Sequence, residues 1–478
     1  MTNSSTSISS LDLAGGFVDF TIDQLDAADV AQLKKLMLDH IACVLCGAAQ
    51  PVGKHLVAWA AENGAPGQAM LFGSGRSAGA AAAALVNGTS AHGYELDDTH
   101  DGSMSHPGAV VISTALALGA ERGASGADIM AAITVGYEAM ARTGMAAGSL
   151  GIVTAGFHPT ALFGVFGATA AAGKLLSLNA EGLAQAWGLA LSMAGGVSQF
   201  AFEPKGTMVK RMHGGLPAHN GIMAAQLASV GVAGPMQALE GEFGFLAMYG
   251  RDVDATRLAR QDGDAFEFHN ISLKPYSCCR KFHSLIDALE QTTDGFALPS
   301  ESIDKIIVRG PETAIGQHLM RRPSSVMAAQ YSMPYIVGAS LAYGPRRYDA
   351  YGEAHHEDPK ILSLIDRIES EHDATFDPLV PNKMPHGVTL RLNDGSSREA
   401  EVMDSLGTPV RPMSYDEVRA KAEALVAMTD PDIDLSGIIA RIDELDSLND
   451  IRALTSLAVS PNYDKQAAAP QAAPEAAE

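Results

Sequence analysis

Four cysteines among 478 residues cannot build a disulfide framework, so a reducing compartment is the expected setting. Aromatic residues are scarce at 6%, with only two Trp. That disfavours an aromatic-rich β-sandwich and, with 48 Gly and many Ala-rich blocks, favours helices packed closely through small side chains. Cations are outnumbered, 33 Lys and Arg against 55 Asp and Glu, a net charge of −22. Such a surface repels nucleic acid and anionic lipid, which excludes a general polyanion binder. Any anionic ligand has to be held by a local cluster of cations.

A membrane-spanning run is also missing. Thr143–Gly173 carries no charged residue, yet it contains Ser149, Thr154, His158, Pro159, Thr160 and Thr169 among many small residues. It is too weakly apolar for lipid and reads as buried interior. The N-terminal MTNSSTSISSLDLAGG has neither a basic n-region nor an apolar h-region, so no signal peptide is expected and the expected location is the cytoplasm. Cofactor fingerprints fail as well. Gly173-Lys174-Leu175 has the wrong spacing for a phosphate loop, Cys43-x-x-Cys46 has no second pair at zinc spacing, and no dinucleotide motif occurs. No metal and no organic cofactor is expected.

What is present is 47% hydrophobic and 18% charged, the composition of a folded globular chain, and its length calls for two or more core-bearing units. From Ile22 to about Phe202 the apolar residues recur at helical spacing, with Gly47 as an expected C-cap and Ala-rich helices over Ala78–Ala91, Val110–Gly123, Ala127–Ala141, Leu162–Leu176 and Glu181–Ala194. The texture changes after about Ile271. Ser302–Arg309 is a strand signal, and His386–Leu392, Asn393-Asp394-Gly395 and Ser397–Val402 spell a hairpin. Helices are expected around His283–Gln291 and Met327–Leu341, and again from Ser414, where Ser414 and Glu417 form a capping box. The expected fold is mainly α: a large all-helical domain over 12–270 and 410–460, a smaller α+β lid domain over 271–409, an unfolded stretch of about the first ten residues and a disordered tail over 465–478.

Four polar clusters interrupt this apolar chain. The first is Glu95-Leu96-Asp97-Asp98-Thr99-His100 with Ser105-His106-Pro107-Gly108. If Ala80–Thr99 is one helix, His92, Glu95 and Asp98 or Thr99 share a face, and polar groups closing a buried helix have to be paired or line a cavity. Asp97 and His106 are candidate site residues, while Asp98 or Thr99 also suits a cap of the next helix. The second cluster is Gly156-Phe157-His158-Pro159-Thr160, with an imidazole inside the uncharged stretch. The third, Lys205 to Gly215, sets Lys205, Lys210 and Arg211 among glycines and suggests an anion cradle. The fourth, Lys274 to His283, brings Lys274, Cys279, Arg280 and His283 to the start of a helix. A thiolate–imidazole pair of Cys279 with His283 is sterically allowed but has no third group to orient it.

Taken in order, ELDDTH…SHPG, GFHPT, GTMVKRMHGG, KPYSCCRKFH and QYSMPY resemble the blocks of the MmgE/PrpD family, from about residue 12 to 458. The resemblance implies a helical domain with an α+β lid, a homodimer, and chemistry without metal or organic cofactor. It implies a polycarboxylate substrate of the citrate/aconitate type and a proton moved at the carbon alpha to a carboxylate. Departure of hydroxide (as in 2-methylcitrate dehydratase), departure of CO₂ (as in cis-aconitate decarboxylase) or simple reprotonation (as in iminodisuccinate epimerase) then distinguishes the products. The expectation is a lyase, dehydration ahead of decarboxylation, with an epimerase or isomerase of an amino- or imino-dicarboxylate as the alternative. Carried over residue by residue, the resemblance places catalytic roles on His106, His158, Lys210, Lys274, Tyr335 and Asp97. Substrate-binding roles fall on Glu95, Thr99, Arg211, Cys279 and Arg280. Cys279 stands where animal cis-aconitate decarboxylases have His, whereas the fungal ones resemble KPYSCC. On general grounds the cations would neutralise the growing aci-carboxylate, and two imidazoles can act as base and acid near neutral pH.

Overall fold

Small residues decide how the helices meet. The computed structural model describes residues 8–202, 207–261, 263–316, 319–380 and 383–468. The Ala-rich blocks form helices Ala80–Ala91, Pro107–Arg122, Gly126–Ala146, Pro159–Leu175 and Ala180–Leu191, joined by Ala27–Ala48 and Val209–Ser229. At several crossings a glycine faces the neighbouring helix, so the backbones approach until they touch. A β-carbon on Gly215 would lie 2.1 Å from the Leu85 carbonyl oxygen, and one on Gly47 would lie 1.8 Å from that of Ser90. Gly47 is therefore not the C-cap expected from its position. The helix runs on to Ala48, and the glycine is there because another helix crosses it.

The chain is mainly α, in two packed parts. One apolar core draws on residues from Leu13 to Leu273 and again from Met413 to Tyr463, with Tyr348 inserted from the other part. The second core runs from Tyr276 to Val402. It is built on a four-stranded sheet in the order Ile368–His372, Ile303–Gly310, His386–Leu392, Ser397–Val402. The first pair is parallel and the other two are antiparallel. The expected hairpin forms, its turn closed by Gly395 at φ 84°. Two two-stranded ladders decorate the helical part. One of them pairs Thr99 with Ser272 and His100 with Ile271, tying the first polar cluster to the start of the lid.

Three local expectations change. Ser9 and Asp12 form a capping box that starts a helix at Ser10, and buried Ser10 binds Glu240 through both its N–H and its hydroxyl, so the chain is anchored there rather than frayed. Of the expected disordered tail, 465–468 close a helix Tyr463–Ala468, and 469–478 lie outside the described residues. The helix expected over Met327–Leu341 is two, Val326–Tyr331 and Met333–Tyr343, because Ser332 adopts an extended ψ of 111° two residues ahead of Pro334 and caps the second helix. The Ser414 capping box forms, and the helix it starts, Tyr415–Thr429, packs against Ala27–Ala48. No single helix among the described residues is long and apolar enough to cross a membrane.

The close crossing of Val209–Ser229 over Ala80–Ala91 sets Lys210 and Arg211 against the loop that follows Ala91. Gly215→Ala is expected to force these helices apart and to cost about 1–3 kcal/mol, read as a fall in denaturation midpoint; an unchanged midpoint would show that the crossing is not close-packed in solution.

Candidate active site

The expected helix Ala80–Thr99 stops at Ala91, with His92 as its C-cap. Three residues on, Glu95 takes a left-handed φ of 55°, a conformation rare for a residue with a β-carbon. The turn carries His92, Glu95 and Asp97 into the interior, where each is buried. His106 and His158 are placed by one shared device. Each precedes a proline, which bars the helical region to the residue before it, and each is the N-cap of the helix that Pro107 or Pro159 begins. Lys210 and Arg211 lie in the first turn of Val209–Ser229. Three helix N-termini thus bring their positive dipole ends together around the same group of side chains.

One carboxylate holds the cations. Glu95 Oε1 accepts a short hydrogen bond from Lys210 Nζ and one of 2.5 Å from Arg211, while Oε2 takes Lys274 Nζ at 3.2 Å. Tyr331 OH donates to Oε1 at 3.3 Å, and Lys210 Nζ sits 5.4 Å above the Tyr331 ring. Arg211 also reaches the His92 carbonyl and Gln330, which in turn donates to the Tyr94 carbonyl and to Ser277. Burial by itself would raise the Glu95 carboxyl, but Lys210, Lys274 and Arg211 outweigh it and hold Glu95 well below the usual range. The two lysines diverge. Burial takes Lys210 below its ordinary value despite Glu95, whereas in Lys274 the carboxylates of Glu95 and Asp97 overcome burial and raise it.

The imidazoles lie beside this pole. Asp97 Oδ2 is 2.6 Å from His92 Nδ1 and 3.3 Å from His106 Nδ1. His106 Nδ1 is also 2.8 Å from the Asp98 carbonyl oxygen, which can only accept. That contact places a proton on His106 Nδ1. The rings of His92, His106 and His158 are 4.7–6.5 Å apart, and His158 Nδ1 meets His213 Nδ1 at 3.1 Å. Burial pushes His92 down to about 3 and, with the charge of Lys210, His213 to about 4, so both are neutral at pH 7. His158 is lowered by burial too, and further by the imidazoles and the Lys210 ammonium around it. Burial raises Asp98 to about 7; its oxygens take the Gly108 N–H and the Tyr137 hydroxyl, so it caps the Pro107 helix as one reading expected.

Three buried polar atoms here have no hydrogen-bond partner among the described residues: His92 Nε2, Asp97 Oδ1 and Thr99 Oγ1. Unpaired buried polar atoms are costly, and a cluster of them suits a site that a polar ligand completes. His92, Asp97 and His106 also present ligand atoms within 4.8 Å of one another. A divalent ion there would have to displace both hydrogen bonds to Asp97 and sit beside Lys274, whose Nζ is 3.9 Å from Asp97 Oδ1. The residues fit a metal poorly. Next to the cluster, a cleft of about 460 Å³ runs between the two parts of the molecule, lined by Thr99, Met104, Cys279, Arg280, Met384 and Met403 among others.

Comparison with known proteins agrees with this architecture. The MmgE/PrpD N-terminal domain matches residues 12–257, and the MmgE/PrpD C-terminal domain matches 276–438. The chain belongs to the MmgE/PrpD family. Among its relatives are a cis-aconitate decarboxylase-like protein, oryM, of Aspergillus oryzae, 29% identical over 90% of this chain and 93% of the relative, and a cis-aconitate decarboxylase of Aspergillus terreus, 28% identical over 91% and 92%. The human cis-aconitate decarboxylase is 27% identical over 80% of this chain and 79% of its own.

In this MmgE/PrpD family member the structure gathers Glu95, Asp97, His106, His158, Lys210, Arg211 and Lys274 into one group. Thr99, Cys279 and Arg280 line the adjoining cleft, where Arg280 binds Ser405 and approaches Asp101 at 3.5 Å. Lys205 lies outside the described residues. Tyr335 is not brought to the cluster. Its hydroxyl donates to the Ala350 and His355 carbonyls deep in the lid, because it sits on the inner face of Met333–Tyr343. The tyrosine that reaches Glu95 is Tyr331, four residues earlier in the same QYSMPY block and on the other side of the break at Ser332. His283 turns away from Cys279 and faces the Cys278 carbonyl, so no thiolate–imidazole pair forms. Sequence reasoning assigned no role to His213 or Gln330, although both lie inside the quoted blocks. It noted His92 as a helix-face residue and in a His92-x-x-Glu95 spacing that lacks a matching Glu-x-x-His, and its five-residue spacing to Asp97 carries a signal only once the turn at Glu95 is known.

The neutral imidazoles give a pH dependence of fixed sign. His213, near 6.5 when unfolded and about 4 when folded, binds fewer protons in the native state, so stability is lost as pH falls from 6.5 through 4. Asp98, raised to about 7, acts in the opposite sense over part of this range. The measurement is therefore a difference: melting temperature against pH for His213→Asn should fall less steeply than for the parent protein between pH 6.5 and 4, and parallel curves would contradict a depressed His213.

Proposed function

We propose that this protein is a lyase that decarboxylates a tricarboxylate of the cis-aconitate type, by proton transfer at a carbon alpha to a carboxylate. One observation carries the reading. Three buried cations, Lys210, Arg211 and Lys274, face only two buried carboxylates, Glu95 and Asp97, in a protein of net charge −22, directly beside neutral imidazoles. The surplus positive charge suits substrate carboxylates. In a dry site it stabilises the charge that grows as the carbon skeleton becomes an anion, the contribution that is usually largest in such reactions. The names of the relatives favour loss of CO₂ over dehydration, which the sequence motifs alone had ranked first.

The chemistry balances simply. The carbon–carbon bond to one carboxylate breaks and CO₂ leaves. Its electron pair passes through the adjacent alkene toward a second carboxylate held by the cations. One proton then arrives at carbon, so one proton is taken up for each CO₂ released. His158 and His106 are the candidate carriers of that proton, with Asp97 orienting His106 and His92 and charge-stabilising an imidazolium. Lys210 and Lys274, both paired with Glu95, supply positive charge at the site. Tyr331 replaces Tyr335 as the phenol within reach of this group.

The test is proton NMR of chelator-treated protein in D₂O with cis-aconitate, citrate, 2-methylcitrate and iminodisuccinate in separate tubes. Itaconate formation supports the proposal. An alkene formed without CO₂ would move the assignment to dehydration, and deuterium at the alpha carbon of an unchanged skeleton would move it to epimerisation. On the active substrate, His106→Asn is expected to lower kcat by about 10²–10⁴-fold. In a second comparison, Tyr331→Phe should lower turnover while Tyr335→Phe lowers the melting temperature and leaves turnover near that of the parent; the reverse pattern would return the phenol's role to Tyr335.

A further inference from the structure

Lys421 lies on the Tyr415–Thr429 helix, more than 300 residues along the chain from the first polar cluster, and belongs to none of the blocks that mark the site. Its side chain is 2% exposed, as is that of Asp39 on the Ala27–Ala48 helix. The ammonium donates to Asp39 Oδ1 at 2.6 Å and to the Leu96 carbonyl oxygen at 2.7 Å. Leu96 is the residue between Glu95, which gathers the three cations, and Asp97, which holds two imidazoles. The turn here is a non-glycine left-handed one at Glu95, a conformation that persists only where its surroundings over-determine it. Arg211 grips the turn from the other side through the His92 carbonyl.

We propose that Lys421 is a positioning residue of the active site: through its hydrogen bond to the Leu96 carbonyl it locks the Glu95–Asp97 turn and so sets the place of the Asp97 carboxylate against His92 and His106. Asp39 holds Lys421 charged and aimed. Burial raises the Asp39 carboxyl and the Lys421 ammonium pulls it back, while in Lys421 the pull of Asp39 overcomes burial and raises it, as expected of a buried ion pair. Cys43 Sγ, 3.9 Å from Asp39 Oδ2, closes the pocket as an inert thiol that burial keeps protonated. The last helices of the chain therefore reach the chemistry without contacting substrate.

This inference rests on the proposed activity only for its kinetic arm, so the test carries a second readout that needs no substrate. The Nδ1–H proton of the 2.6 Å His92–Asp97 hydrogen bond is expected to resonate far downfield in the parent protein. Lys421→Met alone strands Asp39 and is expected to lose stability, so the informative variants are Lys421→Met/Asp39→Leu, which removes both charges, and Lys421→Arg, which keeps the charge in a planar head too wide for the same two acceptors. In both, that resonance should shift or vanish in folded protein. With cis-aconitate, kcat should fall about 100-fold, as misplacement of a catalytic group by about 1 Å produces, while KM stays within about threefold. If the parent protein turns over none of the acids, the proposed activity fails and the resonance still decides the role of Lys421. An unchanged resonance in either folded variant overturns the proposal.

Discussion

The Glu95 carboxylate is the group on which the rest of the site depends. It receives Lys210 and Arg211 from one helix, Lys274 from the approach to the lid and Tyr331 from the lid itself. Taking such ions out of water costs several kcal/mol each, and a buried ion cluster is weak evidence of net stability. What it supplies here is placement. Three cations that would repel one another are held around one point because a single carboxylate satisfies all of them, and each also has a place fixed by backbone geometry. The strained turn at Glu95 is accordingly clamped from both sides, by Arg211 on the His92 carbonyl and by Lys421 on that of Leu96.

The helical scaffold makes this cluster possible by being composed of small residues. Backbones that touch at Gly47, Gly88 and Gly215 leave little free volume, and the side chains of the polar turn are buried among them. Desolvation then does two things at once. It keeps His92 and His213 neutral at pH 7, and it strengthens the charge interactions among the buried groups. The N-caps at His106 and His158 add the helix dipoles to the same region. A fold with larger contact side chains would hold these groups farther apart and wetter.

Much of the site was legible because it is written in short local signals. Both histidines stand out in sequence as imidazoles in short polar blocks of an otherwise apolar chain, and their His-Pro pairs prove to be helix starts. Lys210-Arg211 beside glycines reads as an anion cradle, and the structure shows that the anion it holds is Glu95. The residues that escaped depend on where the chain reverses. Tyr331 and Tyr335 are four apart and would share a helix face, but the break at Ser332 turns one toward Glu95 and buries the other against the Ala350 and His355 carbonyls. His92 was visible as a polar residue at a helix end, yet its pairing with Asp97 exists only because the helix stops at Ala91.

By itself the sequence determined the mainly helical class, the strand-bearing second part, the family, and most of the charged groups that gather in the candidate site. These follow from periodicity, composition and contiguous motifs, which need no knowledge of distant contacts. Only the tertiary structure decided which carboxylate gathers the cations, which tyrosine faces them, and that a lysine near the end of the chain supports a turn near its beginning. Those outcomes depend on pairs of residues some 115 to 325 positions apart. No local rule constrains such pairs, because it is the packing of small-residue helices, and not the order of residues along the chain, that sets which buried charges come to share one dry pocket.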